Sequence, residues 1–345
     1  MTIVVAGFDI DPPSSYRRFV GLLDDEPTTQ PAPTKAELAE EERQLYAEAL
    51  KKPTKAFLFA DSLLSRAADG RRQAVAGEAE KLFELEISLS IPDFSPHGYP
   101  SRRFTILRKT SCGVAYSGSP HMWQFTVERF REEMRNLHYT WAGSDYGVPG
   151  HYAICKANDP EDMAFAKGTF DESINFDSRE LPPLEGAFVA DVFASCFDAA
   201  LMDHFPKEYD NEGQPVSFEI PIEFLLQVYC EKDKAPKIYR FGWEDDRGQF
   251  PTGYKSVRAE VQCDEVAVLG QVSWWPPLVQ VRQQAIAEGK SVQRAMEQKL
   301  VSLIVANAQA NYVGGRLRAG TLSCRGFEKR KLQTGNCATS SGTQA

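Results

Sequence analysis

The sequence has few of the residues that build metal or redox sites. Only five of the 345 residues are histidine and seven are cysteine. No two cysteines form a CxxC pair and no histidine stands at zinc-finger spacing from one, so we expect no metal and no cofactor. The cysteines are scattered through apolar stretches such as DVFASCF. This pattern predicts reduced, mostly buried thiols, as in cytosolic proteins.

Long apolar runs and targeting features are also missing. No stretch approaches the eighteen or so apolar residues that a membrane helix requires. The first residues, MTIVVAGFDIDPP, place no basic segment before their short apolar run, which is unlike a secretory signal peptide. We therefore expect a soluble, cytoplasmic protein with no membrane partner.

The order of predicted elements indicates an α+β fold with a mixed or antiparallel sheet and packed helices, because strands and helices do not alternate regularly. The predicted organisation begins with an N-terminal strand segment over residues 1–23, with the strand itself at Thr2 to Phe8. A proline-rich connector, DDEPTTQPAPT, follows at 24–34. Residues 35–335 form the body, as one large domain or two closely packed ones, and 336–345 form a flexible tail.

Two strands and one helix are the clearest elements. Apolar and polar residues alternate from Phe83 to Ile91, which is typical of a half-buried strand. A turn and a second extended segment, Arg102 to Thr110, follow, so an antiparallel pair is predicted. From Pro120 to Leu137 apolar residues recur at helical spacing. We expect this helix to pack on the sheet through Trp123, Phe130 and Met134.

A GKS sequence at 289–291 invites comparison with phosphate-binding loops. The upstream glycine that such a loop requires would fall at position 284, which is glutamine. The segment also lies between two predicted helices, whereas the phosphate loop leaves a strand. We interpret it as a helix break.

Cys112 is the strongest candidate for a nucleophile. It lies in KTSCGVAYSG after a basic strand, where Arg108 or Lys109 would stabilise a thiolate and His121 or His151 would serve as the base. The alternative, which we favour, is a small residue at the end of a strand. His204 is interpreted as a helix-end residue.

Charge is distributed unevenly along the chain. The formal net charge is −9, yet residues 271–345 contain ten Lys or Arg against three Asp or Glu. An acidic body with a basic terminal segment favours either an anionic partner or contact with an acidic surface of a neighbouring copy.

The basic segment combines features that suit a polyanion. In VGGRLRAG, glycines flank two arginines at strand spacing, and arginine forks suit phosphates. Phe327 then offers a stacking surface among basic residues, a combination found on single-stranded nucleic acids. The alternative is a strand with a bulge followed by the start of a disordered tail. The predicted nucleic-acid-binding residues are Arg102, Arg103, Arg108, Lys109, Arg316, Arg318, Arg325, Phe327, Lys329, Arg330 and Lys331.

The stretch GGRLRAGTLSCRG resembles the glycine-rich, arginine-bearing region late in RAMP-type proteins of CRISPR effectors, in particular their Cas7-type backbone subunits. The resemblance covers about a dozen residues. It implies an RRM-like core with insertions, copies stacked along a guide RNA, and contacts to the RNA backbone rather than catalysis.

These observations favour a non-catalytic subunit of a multi-copy nucleoprotein assembly. Its predicted partners are single-stranded nucleic acid, with RNA favoured over DNA, and further copies of itself or other subunits. Two alternatives stay open. One is a cytosolic enzyme with a site built from Cys112 and a histidine, and the other is a capsid-like structural protein of a virus or phage.

Overall fold

The computed structural model describes residues 3–9, 44, 48–68, 71–76, 79–94, 100–118, 120–142, 151–156, 181–204, 222–245, 254–307 and 315–331. Within these ranges the chain forms strands and helices in mixed order. The strands are β1 Ile3–Asp9, β2 Lys55–Ala60, β3 Leu64–Ala68, β4 Arg71–Ala76, β5 Leu82–Phe94, β6 Pro100–Gly118, β7 Leu137–Ala142, β8 His151–Cys155, β9 Ile222–Cys230, β10 Ala235–Asp245, β11 Tyr254–Glu260, β12 Ala267–Gly270, β13 Arg318–Ser323 and β14 Gly326–Lys331. The α-helices are α1 Pro120–Arg135, α2 Gly186–His204, α3 Trp275–Ala287 and α4 Val292–Asn307.

Five strands form one antiparallel sheet in the order β12-β1-β2-β13-β14. Its first strand reads IVVAGFD, and all seven of its residues are buried. A strand that is apolar at nearly every position rather than at alternate ones is typical of a sheet covered on both faces. The predicted strand at Thr2 to Phe8 is thus confirmed within the described residues, and it lies in the middle of the fold.

Seven strands form the second sheet in the order β11-β10-β9-β6-β5-β7-β8. All neighbours are antiparallel except β5 and β7, which run parallel. The predicted antiparallel pair is confirmed, with Ile87 opposite Thr110 and Leu89 opposite Arg108. A separate two-stranded hairpin joins β3 and β4.

The two sheets stack face to face, and a pair of helices covers each outer face. Alternate residues of β1 and β2, such as Val4 and Leu58, pack against Leu82, Ala115 and Leu225 of the other sheet. On the far side of the five-stranded sheet Phe57 and Phe59 pack under α3 and α4. The result is a four-layer helix-sheet-sheet-helix sandwich. The α+β class is confirmed, but the RRM-like core that the Cas7-type resemblance implies does not form, because two stacked sheets replace the single sheet of an RRM.

Helix α1 packs on the seven-stranded sheet as its sequence predicts. Phe130 and Met134 are fully buried, and the Trp123 ring stacks on Phe83 with 4.7 Å between ring centroids. Within the same helix layer α1 packs on α2, where the Phe193 ring contacts the Phe130 ring edge-on with 5.0 Å between ring centroids. These contacts fix β5 and β6 against the outer helices.

The GKS segment ends α3 and precedes α4. Gly289 has a φ of 63°, a left-handed conformation that glycine adopts at helix ends without steric cost. The backbone N–H of Lys290 donates to the carbonyl of Ala285 at 2.8 Å. The helix break is confirmed, since no strand leads into this segment.

The C-terminal basic segment forms the hairpin of β13 and β14 at the edge of the five-stranded sheet. Phe327 to Lys331 therefore belong to a strand and not to the beginning of a tail. The proline-rich connector at 24–34 and the tail at 336–345 lie outside the described residues. No helix within the described ranges is long and apolar enough to span a membrane.

Candidate active site

The predicted nucleic-acid-binding aromatic, Phe327, is buried and cannot stack on a base. Only 2% of its surface is exposed, and its ring fills the space above two glycines. A Cβ atom added to Gly113 or Gly320 would lie 2.2 Å or 1.9 Å from that ring. Gly320 of the basic segment and Gly113 of β6 therefore make room for a phenylalanine between the sheets rather than for a ligand. The stacking role predicted for Phe327 is wrong.

Several of the predicted basic residues are neutralised by carboxylates of the same chain. Arg318 and Lys329 both bind Glu80, the former at 3.3 Å. Arg330 binds Glu297 at 2.6 Å. The positive charge that the sequence concentrates in the hairpin is thus partly used to fasten it to the rest of the fold.

The basic residues of β6 behave in a similar way. Arg108 binds Glu231 at 2.8 Å and donates to the Tyr139 hydroxyl at 2.7 Å. Lys109 binds Glu86 at 2.9 Å. The remaining predicted residues divide into two groups: Arg316 and Arg325 are exposed, whereas the side chains of Arg102, Arg103 and Lys331 lie outside the described residues.

Cys112 is not placed for catalysis. Its side chain is fully buried between β6 and the helices, and burial raises the pKa of the thiol to about 12. A thiol with so high a pKa is almost wholly protonated at neutral pH. His151 lies in β8, at the far edge of the same sheet, and the side chain of His121 is outside the described residues. The Cys112/His enzyme alternative is therefore wrong. The favoured alternative, a small non-catalytic residue, agrees with this burial, but Cys112 lies inside β6 and not at the end of a strand.

A buried lysine–aspartate pair, which the sequence did not single out, lies where the two sheets meet. Lys81 Nζ donates to Asp61 Oδ1 at 3.0 Å, and neither side chain has any exposed surface. Lys81 Nζ also donates to the carbonyl of Leu63. Asp61 immediately follows β2 of the five-stranded sheet, and Lys81 immediately precedes β5 of the seven-stranded sheet.

The pair is attached to the beginning of β1. The backbone N–H of Ile3 donates to Asp61 Oδ1 at 3.1 Å, and the Asp61 N–H donates back to the Ile3 carbonyl at 3.1 Å. Because a peptide bond joins Thr2 to the Ile3 nitrogen, the residue that precedes Ile3 is bonded directly to an atom that Asp61 contacts. Thr2 itself lies outside the described residues.

Further segments close around the pair. The fully buried Ser62 accepts a hydrogen bond from the Arg316 backbone N–H at 2.7 Å. Its own carbonyl accepts from Ala79 N–H at 2.8 Å. The Tyr116 N–H donates to the Lys81 carbonyl at 3.2 Å. Strand ends from both sheets are thus hydrogen-bonded to the residues on either side of the ion pair, which fixes its geometry.

Burial changes the acid–base properties of this group. It lowers the pKa of Lys81 because the ammonium loses its hydration, and the attraction of Asp61 only partly opposes this effect. The pKa of the Tyr116 hydroxyl is raised, first by burial and then by the charge of Asp61. A lysine whose pKa is lowered by burial beside a specific charged partner is a candidate functional residue, as structural ion pairs show such shifts as well.

Stability alone is a weak explanation for such a pair. Removing two charges from water costs several kcal/mol per ion, and apolar residues of similar volume often stabilise a core as well or better. The signal in the sequence was faint: Asp61 follows the apolar run AFLFA, and Lys81 directly precedes the best-defined strand.

Within the described residues, no group of three or more His, Cys, Asp or Glu is placed to hold a metal.

Comparisons with known proteins find similarity to solved structures but none at the level of sequence. No family model and no curated protein matches the chain. A subunit of the helical assembly of the Anbu complex from Pseudomonas aeruginosa aligns with 11% identity and a TM-score of 0.45, covering 83% of this chain and 85% of that one. A Gly-1 mutant of Anbu from Hyphomicrobium sp. strain MC1 aligns with 10% identity and a TM-score of 0.44, covering 98% and 89%. Anbu from the same strain in another crystal form has 10% identity and a TM-score of 0.39, with 82% and 85% covered.

The predicted function of an RNA-binding backbone subunit in CRISPR defence is wrong. The physical reason is the one given above: the aromatic residue is buried, and basic residues of the proposed surface bind carboxylates of the same fold. The Cas7-type resemblance itself stays an untested prediction.

Proposed function

We propose that this protein is an amide-bond hydrolase whose nucleophile is the hydroxyl of Thr2, made N-terminal by cleavage of the Met1–Thr2 peptide bond. The observation that carries the proposal is the buried Lys81–Asp61 pair, which is hydrogen-bonded to Ile3, the residue next to Thr2. A threonine hydroxyl is a weak nucleophile unless a nearby base accepts its proton, and the free N-terminal amine is a known base for it.

The reaction would proceed in two balanced steps. In the first, Thr2 Oγ1 attacks the carbonyl carbon of the amide while its proton passes to the base. The C–O bond of an ester forms, the C–N bond breaks, and the amine leaves with the proton. In the second, water attacks the ester, the acid leaves, and the proton returns to Thr2 Oγ1. Division into two steps of this kind is the advantage of a covalent intermediate.

The α-amine of Thr2 and Lys81 would have different roles. An α-amine has an ordinary pKa of about 7.7–8.0, which suits a base that works near neutral pH. Lys81 and Asp61 would orient the beginning of β1 and stabilise charge that develops at Thr2. Because the pair is shielded from water, its electrostatic effect on a neighbouring group is stronger than it would be at the surface.

A purely structural pair is the main competing explanation, and the two can be separated. Asp61→Asn combined with Lys81→Met removes both charges while an amide oxygen remains to accept from Ile3 N–H. If the pair is only structural, this double variant keeps any hydrolytic activity that the parent has. If the pair belongs to the site, the protein stays folded and the activity falls by orders of magnitude.

The proposed function is tested by combining the mature N-terminus with hydrolysis assays. We expect the intact mass and N-terminal sequence to show that the chain begins at Thr2. We expect hydrolysis of a casein or peptide-amide library by the parent, partial hydrolysis by Thr2→Ser, and none by Thr2→Ala. Retention of activity by Thr2→Ala, or a mature chain in which Thr2 is still acylated by Met1, would exclude Thr2 as the nucleophile.

Self-association is part of the same proposal. Three large apolar side chains in the first half of β6 are exposed: Phe104 by 40%, Ile106 by 49% and Leu107 by 42%. Large apolar side chains clustered at the surface are typical of contacts between chains, and a second copy is the partner that we propose. Light scattering of the purified protein should give a mass of at least twice the 38.6 kDa of one chain, and a monomer mass would contradict self-association.

A cytoplasmic location completes the proposal. The six cysteines within the described residues are all free thiols, and four of them, Cys112, Cys155, Cys196 and Cys230, are buried. Free thiols rather than disulfides are typical of a reducing compartment.

A further inference from the structure

A cavity of about 1040 Å³ lies at the other end of the five-stranded sheet from the Lys81–Asp61 pair. Asp9 and Lys55, which line it, are opposite each other at the last pairing of β1 with β2. Ile3, which contacts Asp61, is at the first residue of β1. At roughly 3.3 Å per strand residue, the cavity is about 20 Å from the ion pair.

The charge of this cavity is opposite to that of the protein. Two acidic residues, Asp9 and Glu328, face five basic ones, which gives the lining a formal net charge of +3 in a chain of net charge −9. A concave surface with an excess of one charge raises the local concentration of ions of the other sign. The basic lining residues are Lys55, Lys290, Arg294, Arg325 and Arg330.

Two of these arginines are available to a ligand. Arg294 and Arg325 are exposed, and neither makes an ion pair with any residue that the structure describes. Lys290 and Arg330, in contrast, each bind a carboxylate at 2.6 Å. An unpaired guanidinium presents a planar fork of N–H donors that matches two oxygens of a phosphate.

The N-terminus of α4 also borders the cavity, but a carboxylate of the protein already occupies it. Asp9 Oδ2 accepts from Ser291 Oγ at 2.6 Å and from Gln293 N–H at 3.2 Å. A ligand would therefore lie beside the helix end, against Arg294 and Arg325. The volume lies slightly above the range for pockets that enclose a small molecule, about 300–1,000 Å³.

We propose that this cavity binds a small molecule with two or more phosphate groups. Two unpaired arginines, further lysines in the lining and the net positive charge suit several negative charges on one ligand better than a single carboxylate. Lys290 and Ser291 of the GKS segment line this cavity, but both side chains already bind carboxylates of the protein, and the backbone is a helix end and not a phosphate loop. The site is independent of the proposed hydrolase function because it is at the opposite end of the sheet.

Titration calorimetry with tripolyphosphate at low salt tests the proposal on the full chain. We expect saturable binding by the parent and about tenfold weaker binding for each of Arg294→Gln and Arg325→Gln, since each removes a charge-assisted contact. Glu328→Gln should tighten binding, because it removes a negative charge from the lining. Both arginines are exposed, so the variants are expected to fold.

Arg129→Gln is the matched control. This arginine is also exposed, but it binds Asp203 at 3.1 Å on the helix layer of the other sheet, and its replacement should leave the affinity unchanged. The proposal is overturned if the parent shows no binding at millimolar tripolyphosphate. It is equally overturned if the Arg294→Gln/Arg325→Gln double variant binds as tightly as the parent.

Discussion

Replacement of Lys81 by methionine tests the buried ion pair most severely. Methionine preserves much of the side-chain volume but leaves Asp61, which has no exposed surface, as a buried charge without its ammonium partner. Breaking a buried pair in this way typically destabilises a protein by about 3–5 kcal/mol. That is a large part of a total stability of roughly 5–15 kcal/mol.

The double variant Asp61→Asn/Lys81→Met separates the charge effect from the loss of packing. An asparagine oxygen still accepts from Ile3 N–H, and no unpaired charge remains. We expect its stability to lie within about 2 kcal/mol of the parent, because replacing both ions by neutral residues of similar shape is often tolerated. The double-mutant cycle should therefore give a coupling energy of a few kcal/mol between the two positions.

Urea denaturation followed by tryptophan fluorescence measures these differences. The exposed pair of Lys109 and Glu86, at 2.9 Å, provides a control, since solvent screens it and Lys109→Met should change stability little. If Lys81→Met is as stable as the parent, Lys81 and Asp61 are not a buried ion pair and the argument for the site fails.

Three further predictions concern the core. Phe327→Ala should destabilise the fold by about 3–5 kcal/mol, as for other buried aromatics, and thus lower the melting temperature in a thermal melt. An unchanged melting temperature would contradict the burial of Phe327. Gly320→Ala should cost about 1–3 kcal/mol through overpacking, since its Cβ would lie 1.9 Å from the Phe327 ring, and Phe327→Leu in the same chain should recover part of the loss in the same assay. Iodoacetamide at pH 8 should alkylate the exposed Cys324 and spare Cys112, whose pKa is about 12; peptide mass mapping distinguishes the two, and modification of folded protein at Cys112 would contradict its burial.

Local patterns predicted the elements whose signals lie within one segment. The alternation from Phe83 to Ile91 is visible in nine residues, and the spacing of Trp123, Phe130 and Met134 identifies a helix face without any knowledge of the sheet. Stacking of two sheets depends instead on contacts between distant segments, such as those that place Val4 and Leu225 in one buried cluster. No periodicity in a single stretch encodes that arrangement.

The candidate site was hidden for the same reason. In EAEKLFEL, Lys81 has the appearance of an ordinary solvated charge. Its burial depends on Asp61, twenty residues earlier, and on β1, whose Ile3 N–H binds that aspartate. The basic C-terminal segment led to the opposite error, because charges that are paired within the fold were interpreted as exposed. Its charge excess is real, but Lys329 meets Glu80 across 249 positions of the sequence, so composition alone could not show which of its charges are neutralised.

Covalent labelling of the nucleophile tests the proposed function most directly. A β-lactone, which acylates an activated hydroxyl, is incubated with the parent and with the Asp61→Asn/Lys81→Met variant, and the site of the ester is located by peptide mass spectrometry. We expect one ester on Thr2, in a peptide that begins at Thr2, for the parent and none for the folded variant. An ester at another residue, no ester on Thr2, or equal labelling of Thr2 in the two proteins would contradict the proposal.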